Sequence, residues 1–234
     1  MIKNLVQNAN QGINNIKLRD LLSVQQEISS SPIIRSLMPP IEIGSITLVD
    51  QIVLLSLVKI IQPHTIIEIG TYLGYTTALF AMNTNAKIFT IDLAKVDQKS
   101  SQFNSNLILH DGDYNDDFLR AEQNTKGEVY LQYLNQEEKQ KVCLIKADST
   151  AIDFQSKFET AEFVFIDGGH ERSIVEADTR NARSIINKGV IVWHDFGSGI
   201  HNDVTSFLMG EKGHKFFHVT GSLCAFELIG ADET

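Results

Sequence analysis

The chain has little of what marks the more specialised protein classes. Its two cysteines, Cys143 and Cys224, lie far apart in 234 residues and inside apolar runs, so no disulfide framework or cysteine metal cluster is expected. A reducing, cytoplasmic setting fits that usage. A formal net charge of −9 with no Lys/Arg-rich run argues against nucleic acid or an anionic membrane as the main partner. No segment approaches the roughly 20 apolar residues of a membrane span. The opening "MIKNLVQNANQGINNIKLRD" lacks the apolar core of a secretory signal. Repeats, low-complexity tracts and a G-x-G-x-x-G dinucleotide fingerprint are also missing.

What is present suits one large α/β domain, since 43% of the residues are hydrophobic and the chain is too short for two comfortable domains. Residues 1–45 are expected to form a helical N-terminal extension: 1–31 are rich in Asn, Gln and Ser with a weak helical stripe through Ile13, Ile16, Leu18, Leu21, Leu22 and Val24, and Pro32, Pro39 and Pro40 then mark a loop. The domain proper is expected over 46–234. It opens with "ITLVDQIVLLSLVKIIQ" (46–62), a buried helix stopped by Pro63.

Short apolar runs then alternate with helix-like segments. The runs at 65–69, 87–91, 142–146, 163–166 and 190–193 predict a Rossmann-like, mostly parallel sheet with helices on both faces. "KFFHVTGSLCAFELI" near the end predicts an antiparallel hairpin about Gly221-Ser222, for seven strands in all. Ile174, Val175, Ala182, Ile185 and Ile186 form one helical apolar face, with Gly189 expected at its C-terminal cap. The stretch 93–141 is too long for an ordinary connection and predicts an insertion serving as a lid, a substrate wall or a homodimer contact. Within it, the acidic run "HDGDYNDDF" (110–118) lacks the glycine and terminal Glu of a calcium loop and reads as a solvated loop.

Ligands of an open parallel sheet bind beyond the carboxyl ends of its strands. After the first run stand Gly70 and Gly74, which free the backbone for close approach or simply turn the corner. Asp92 ends the second run, where a carboxylate can bind a ribose diol or cap a helix. Asp148 and Ser149 end the third with the same ambiguity, and three acids at three strand ends favour a nucleoside pocket. Asp167 with His170 ends the fourth run and His194-Asp195 the fifth. Carboxylates drawn together at apolar strand ends repel unless a cation or a shared proton relieves them. These groups therefore point to a divalent metal, with imidazole as a candidate general base. His64, His110, His201, His214 and His218 show no ligand spacing and are expected at the surface, and Trp193 in the core.

Two blocks carry a family likeness. "IIEIGTYLGYTTALFA" resembles the first motif of class I S-adenosylmethionine-dependent methyltransferases in its catechol-type form. "FVFIDGGHERSIVEADTRNARSIINKGVIVWHDF" resembles the fourth-to-fifth-strand block of the methyltransferases related to cephalosporin hydroxylase and macrolide sugar O-methyltransferases. The resemblance covers roughly residues 46–229. It implies S-adenosyl-L-methionine as cofactor, wrapped by Glu68, Gly70, Thr71, Gly74, Tyr75 and Thr76, with Asp92 on the ribose, Asp148 and Ser149 at the adenine, and Asp167 beside the sulfonium. It further implies a divalent metal, Mg²⁺ foremost, on Asp167, His194 and Asp195, with Asp167, His170 or His194 taking the acceptor proton. The implied partner is a small-molecule acceptor bearing a sugar, phenol or natural-product hydroxyl, or an amine. Catechol-type enzymes have Asp-Asn where this chain has His194-Asp195, and the 93–141 insertion exceeds their pattern. A nicotinamide-dependent oxidoreductase competes within enzymes but lacks its glycine fingerprint; a non-catalytic nucleotide-binding protein on the same fold competes outside them.

Overall fold

A computed structural model describes residues 8–28, 33–38, 44–94 and 113–230. Their framework is an eight-stranded sheet. Its strands are β1 (Gly12–Ile16), β2 (Thr65–Ile69), β3 (Lys87–Asp92), β4 (Val142–Lys146), β5 (Phe163–Ile166), β6 (Gly189–Trp193), β7 (Lys215–Val219) and β8 (Ala225–Ile229). They lie in the order β1-β7-β8-β6-β5-β2-β3-β4, with β8 antiparallel to both neighbours and every other pair parallel. The chain winds outward from β2 through β3 to β4, then returns to β5 and winds the other way. The reversal between β2 and β5 is the switch point at which such sheets open a crevice.

Both faces of the central strands are covered, which explains their unbroken apolar runs, while the edge strand β4 is largely exposed. In β5, Phe163 and Phe165 join one core cluster while Val164 and Ile166 join the other, and all four are buried. The first cluster takes in α1 (Leu18–Ile28), α2 (Leu48–Ile61) and α3 (Tyr75–Asn83). The second receives α6 (Phe154–Lys157), α7 (Arg172–Ile185) and α8 (Asn202–Gly210). Trp193 is fully buried in the second, and its indole N–H donates to Thr179 Oγ1 at 2.8 Å. Helix α2 starts on a Thr47–Asp50 capping box and ends at Gln62 in a left-handed conformation just before Pro63. No helix among the described residues is long and apolar enough to cross a membrane.

Three expectations are corrected. The N-terminal extension is not wholly helical: residues 12–16 form an eighth strand on the outer edge of β7. Ile13 packs on one cluster and Ile16 on the other, so a strand buried on both faces mimics helical spacing. Gly189 does not cap a helix. Helix α7 ends at Ile185, and Gly189 opens β6 at φ +148°, where a Cβ would lie 1.9 Å from the Glu162 carbonyl oxygen. The acidic run is not a loop from residue 113 on, because α4 (Asp113–Lys126) begins there; 110–112 fall outside the described residues. Within the 93–141 stretch, α4 is followed by a 3₁₀ turn (Val129–Tyr133) and α5 (Gln136–Gln140). Of the two cysteines, Cys143 is exposed on the edge strand β4 and Cys224 is buried.

Candidate active site

A cavity of about 480 Å³ lies beyond the carboxyl ends of β2 to β6. Its wall is assembled from the residues that follow each strand, from Leu223 in the β7–β8 turn, from Gly44 and Ser45 before α2, and from Leu119, Arg120 and Gln123 of α4. Of the expected cofactor residues, Gly70, Asp92, Asp148, Ser149 and Asp167 line it. The structure does not bring Glu68, Thr71, Gly74, Tyr75 or Thr76 to its surface. They stand behind the wall and shape it.

Gly70 shows how. At φ +96° its missing Cβ would lie 1.9 Å from the Asp167 carbonyl oxygen, so only glycine lets the ends of β2 and β5 close on each other. Thr71 hydrogen-bonds through Oγ1 to Thr90 at 2.6 Å, and Tyr75 donates its hydroxyl to Leu37 O at 3.0 Å. Glu68 is fully buried, accepts from the Thr77 hydroxyl, and is pushed up to about 8 by that burial.

Asp92 is not a helix cap. Its Oδ2 accepts from the backbone N–H groups of Thr71 (3.1 Å) and Tyr72 (2.8 Å) and from the Gln123 side chain, while Oδ1 accepts from Leu93 N–H at 2.8 Å. It thus ties the β2–α3 turn to α4, and burial raises its pKa. Asp148 does cap: Oδ1 accepts from Thr150 N–H (2.9 Å) and Oγ1–H (2.6 Å) at the start of a 3₁₀ turn, Ser149–Ala151.

The other end of the cavity gathers the groups after β5 and β6. His194 Nδ1 stands 3.2 Å from Asp167 Oδ1 and 3.2 Å from Asp195 Oδ2. His170 Nε2 lies 3.1 Å from the same Asp195 oxygen. Asp195 can serve both because its backbone is left-handed at φ 61°, a conformation that Asp tolerates and that turns its carboxylate back into the cavity. Burial opposes charge on His194, yet Asp167 and Asp195 outweigh it and hold the ring well above its ordinary pKa. Asp195 is buried too, and His194 beside it keeps its carboxyl far below the usual range.

Four residues escape the sequence pattern. His201, expected at the surface, is buried and stacks on His170 with ring centroids 3.6 Å apart. Gln123 and Arg120 enter from α4, and Asp50 reaches His194 Nε2 at 3.5 Å from α2. No spacing in the sequence links these residues to the strand-end motifs, so no local signal could have found them. His64 is exposed as expected, His214 and His218 are partly buried, and His110 lies outside the described residues.

The doubly wound sheet with its one antiparallel strand and a cavity at the switch point is the class I methyltransferase fold. Residues 67–196, more than half of the chain, match the family described as a methyltransferase domain, and the chain belongs to that family. Similar folds include the Podospora anserina methyltransferase PaMTH1 with S-adenosylhomocysteine bound, at 12% identity over 95% of this chain and 90% of that one, TM-score 0.53. Cofactor-bound Rv0187 from MTB follows at 17% identity over 91% and 88%, TM-score 0.51. The calicheamicin methyltransferase CalS11 matches at 13% identity over 91% of each chain, TM-score 0.51. At such identities the likeness concerns the fold. Among curated proteins, no sequence matches.

Proposed function

We propose that the protein transfers the methyl group of S-adenosylmethionine to a small-molecule hydroxyl, with a divalent cation held by Asp167, His194 and Asp195. The observation that carries this is the two-ended cavity: a carboxylate suited to a ribose at one end, and a cluster of acids and imidazoles at the other. The family match supports methyl transfer, and the S-adenosylhomocysteine in PaMTH1 supports that cofactor on this fold.

In this reading Asp92 and Ser149 face the nucleoside, and Asp167 bridges cofactor and acceptor. Two carboxylate oxygens and the His194 nitrogen, mutually within 4.8 Å, form a donor set that fits a divalent cation. Such a cation lowers the pKa of a hydroxyl that it binds and helps to align it. The chain itself supplies the rest. Asp195 orients His170 through Nε2, placing an imidazole where it can take the hydroxyl proton. The walls hold the acceptor in line with the methyl group, which is where most of the rate advantage of a displacement arises.

Two titrations test the reading. S-adenosylhomocysteine should bind more tightly than NAD(P); the reverse order would point to a dehydrogenase. Asp195→Ala should abolish divalent-metal binding while leaving S-adenosylhomocysteine affinity largely intact, and unchanged metal affinity would refute the assignment.

A further inference from the structure

Asp50 is fully buried and does not line the cavity, yet it faces the cluster from behind. It lies on the first turn of α2, far in sequence from β6. Its Oδ2 accepts from Thr47 N–H (3.1 Å) and Oγ1–H (2.6 Å) and stands 3.5 Å from His194 Nε2. Its Oδ1 accepts from Leu223 N–H at 2.8 Å, with Cys224 Sγ at 3.7 Å. His194 therefore has carboxylates at both ring nitrogens: Asp167 and Asp195 at Nδ1, Asp50 at Nε2.

The two sides differ in one respect. Asp167 and Asp195 face a cavity whose contents change during a reaction, whereas Asp50 faces only protein. A buried carboxylate needs donors in every state. The N–H that His194 keeps in every state is then the one directed at Asp50. We propose that Asp50 is a positioning residue. By accepting the Nε2–H of His194 it fixes the tautomer and ring orientation, leaving Nδ1 as the atom that acts in the cavity. The proposal rests on the metal reading above, because a carboxylate behind an imidazole is the arrangement that presents the opposite nitrogen to a cation.

Thr47 makes the test selective, because Thr47→Ala breaks the same capping box by removing one hydroxyl donor to Asp50 Oδ2 while leaving both the Asp50 carboxylate and the His194 ring in place. Wild type, Asp50→Asn and Thr47→Ala are each titrated with Zn²⁺ alone and with S-adenosylhomocysteine alone. Asp50→Asn should weaken Zn²⁺ binding about 10–100-fold, the usual effect of losing the partner of a ligating histidine. Thr47→Ala should leave Zn²⁺ affinity unchanged, and both variants should bind S-adenosylhomocysteine as wild type does. Equal losses of Zn²⁺ affinity in the two variants, or none in Asp50→Asn, would overturn the role. Nitrogen-15 spectra of the wild-type Zn²⁺ adduct need no variant: they should show metal on Nδ1 and a proton on Nε2, and metal on Nε2 overturns the proposal. Failure of the wild type to bind Zn²⁺ would sink the metal reading instead. Asp50 is then judged from the neutral ring, with Nε2–H expected in the wild type and Nδ1–H in Asp50→Asn. The same tautomer in both refutes it.

Discussion

Glu68 shows how far a residue's role can depart from its place in a motif. It sits in the block that resembles a cofactor-binding turn, yet its carboxyl is sealed behind the wall, with one oxygen on Thr77 and the other unpartnered among the described residues. Burial lifts its pKa from 4.5 to about 8. A raised carboxyl favours the folded state fully below the unfolded value and loses that contribution as the pH climbs through the folded one. Glu68→Gln, neutral throughout, should gain on wild type in thermal stability across that window, by at most about 1.4 kcal/mol per pH unit. A stability difference that does not vary with pH would contradict this.

Asp92 carries a heavier load than a ribose contact alone. Its carboxylate already binds three backbone N–H groups and Gln123, so a ribose diol must share or displace these donors. Asp92→Ala should weaken S-adenosylhomocysteine binding by about 1–3 kcal/mol. Unchanged affinity in a titration would leave Asp92 as a turn support only.

For the elements, the decisive contact is between strand ends. β2 and β5 meet at Gly70 and Asp167 with no room for a methyl group. Gly70→Ala should force them apart, cost more than about 2 kcal/mol of stability in denaturant melts, and reduce cofactor affinity in the same protein. A variant as stable as wild type would mean that the close approach is not needed. These two strands were plain in the sequence, because burial on both faces demands unbroken apolar runs such as "FVFI". Helix α4 was not: its first residues belong to the acidic run 110–118, which reads as a solvated loop, and Leu119 and Gln123 acquire meaning only against the cavity.

Over the whole molecule, β1 closes an edge that would otherwise stand open. Gly12 N–H donates to His214 O at 2.8 Å, Thr220 N–H to Ile16 O at 2.9 Å, and Ile16 is buried. Removing residues 1–16 should cost about 3 kcal/mol, from one buried aliphatic side chain and the lost ladder bonds, and should expose the β7 edge to self-association. Thermal melts and light scattering would show both effects, while S-adenosylhomocysteine binding should survive because the cavity lies across the sheet. An unchanged melting temperature would contradict the assignment of β1 as a stabilising edge.

Apolar periodicity alone determined the alternating strands and helices, and the carboxylates and imidazoles placed after β3, β5 and β6 were legible because ligands gather at strand ends. Their meeting was decided by strand order, which brings β5 and β6 side by side and sets Asp167, His170, His194 and Asp195 within hydrogen-bonding reach. The contributions of Asp50, Gln123 and His201 belong wholly to tertiary structure. Each reaches the cavity or its backing from an element whose own sequence is explained by helix capping, solvation or a turn, and only the packing of that element against the sheet gives its side chain a chemical partner.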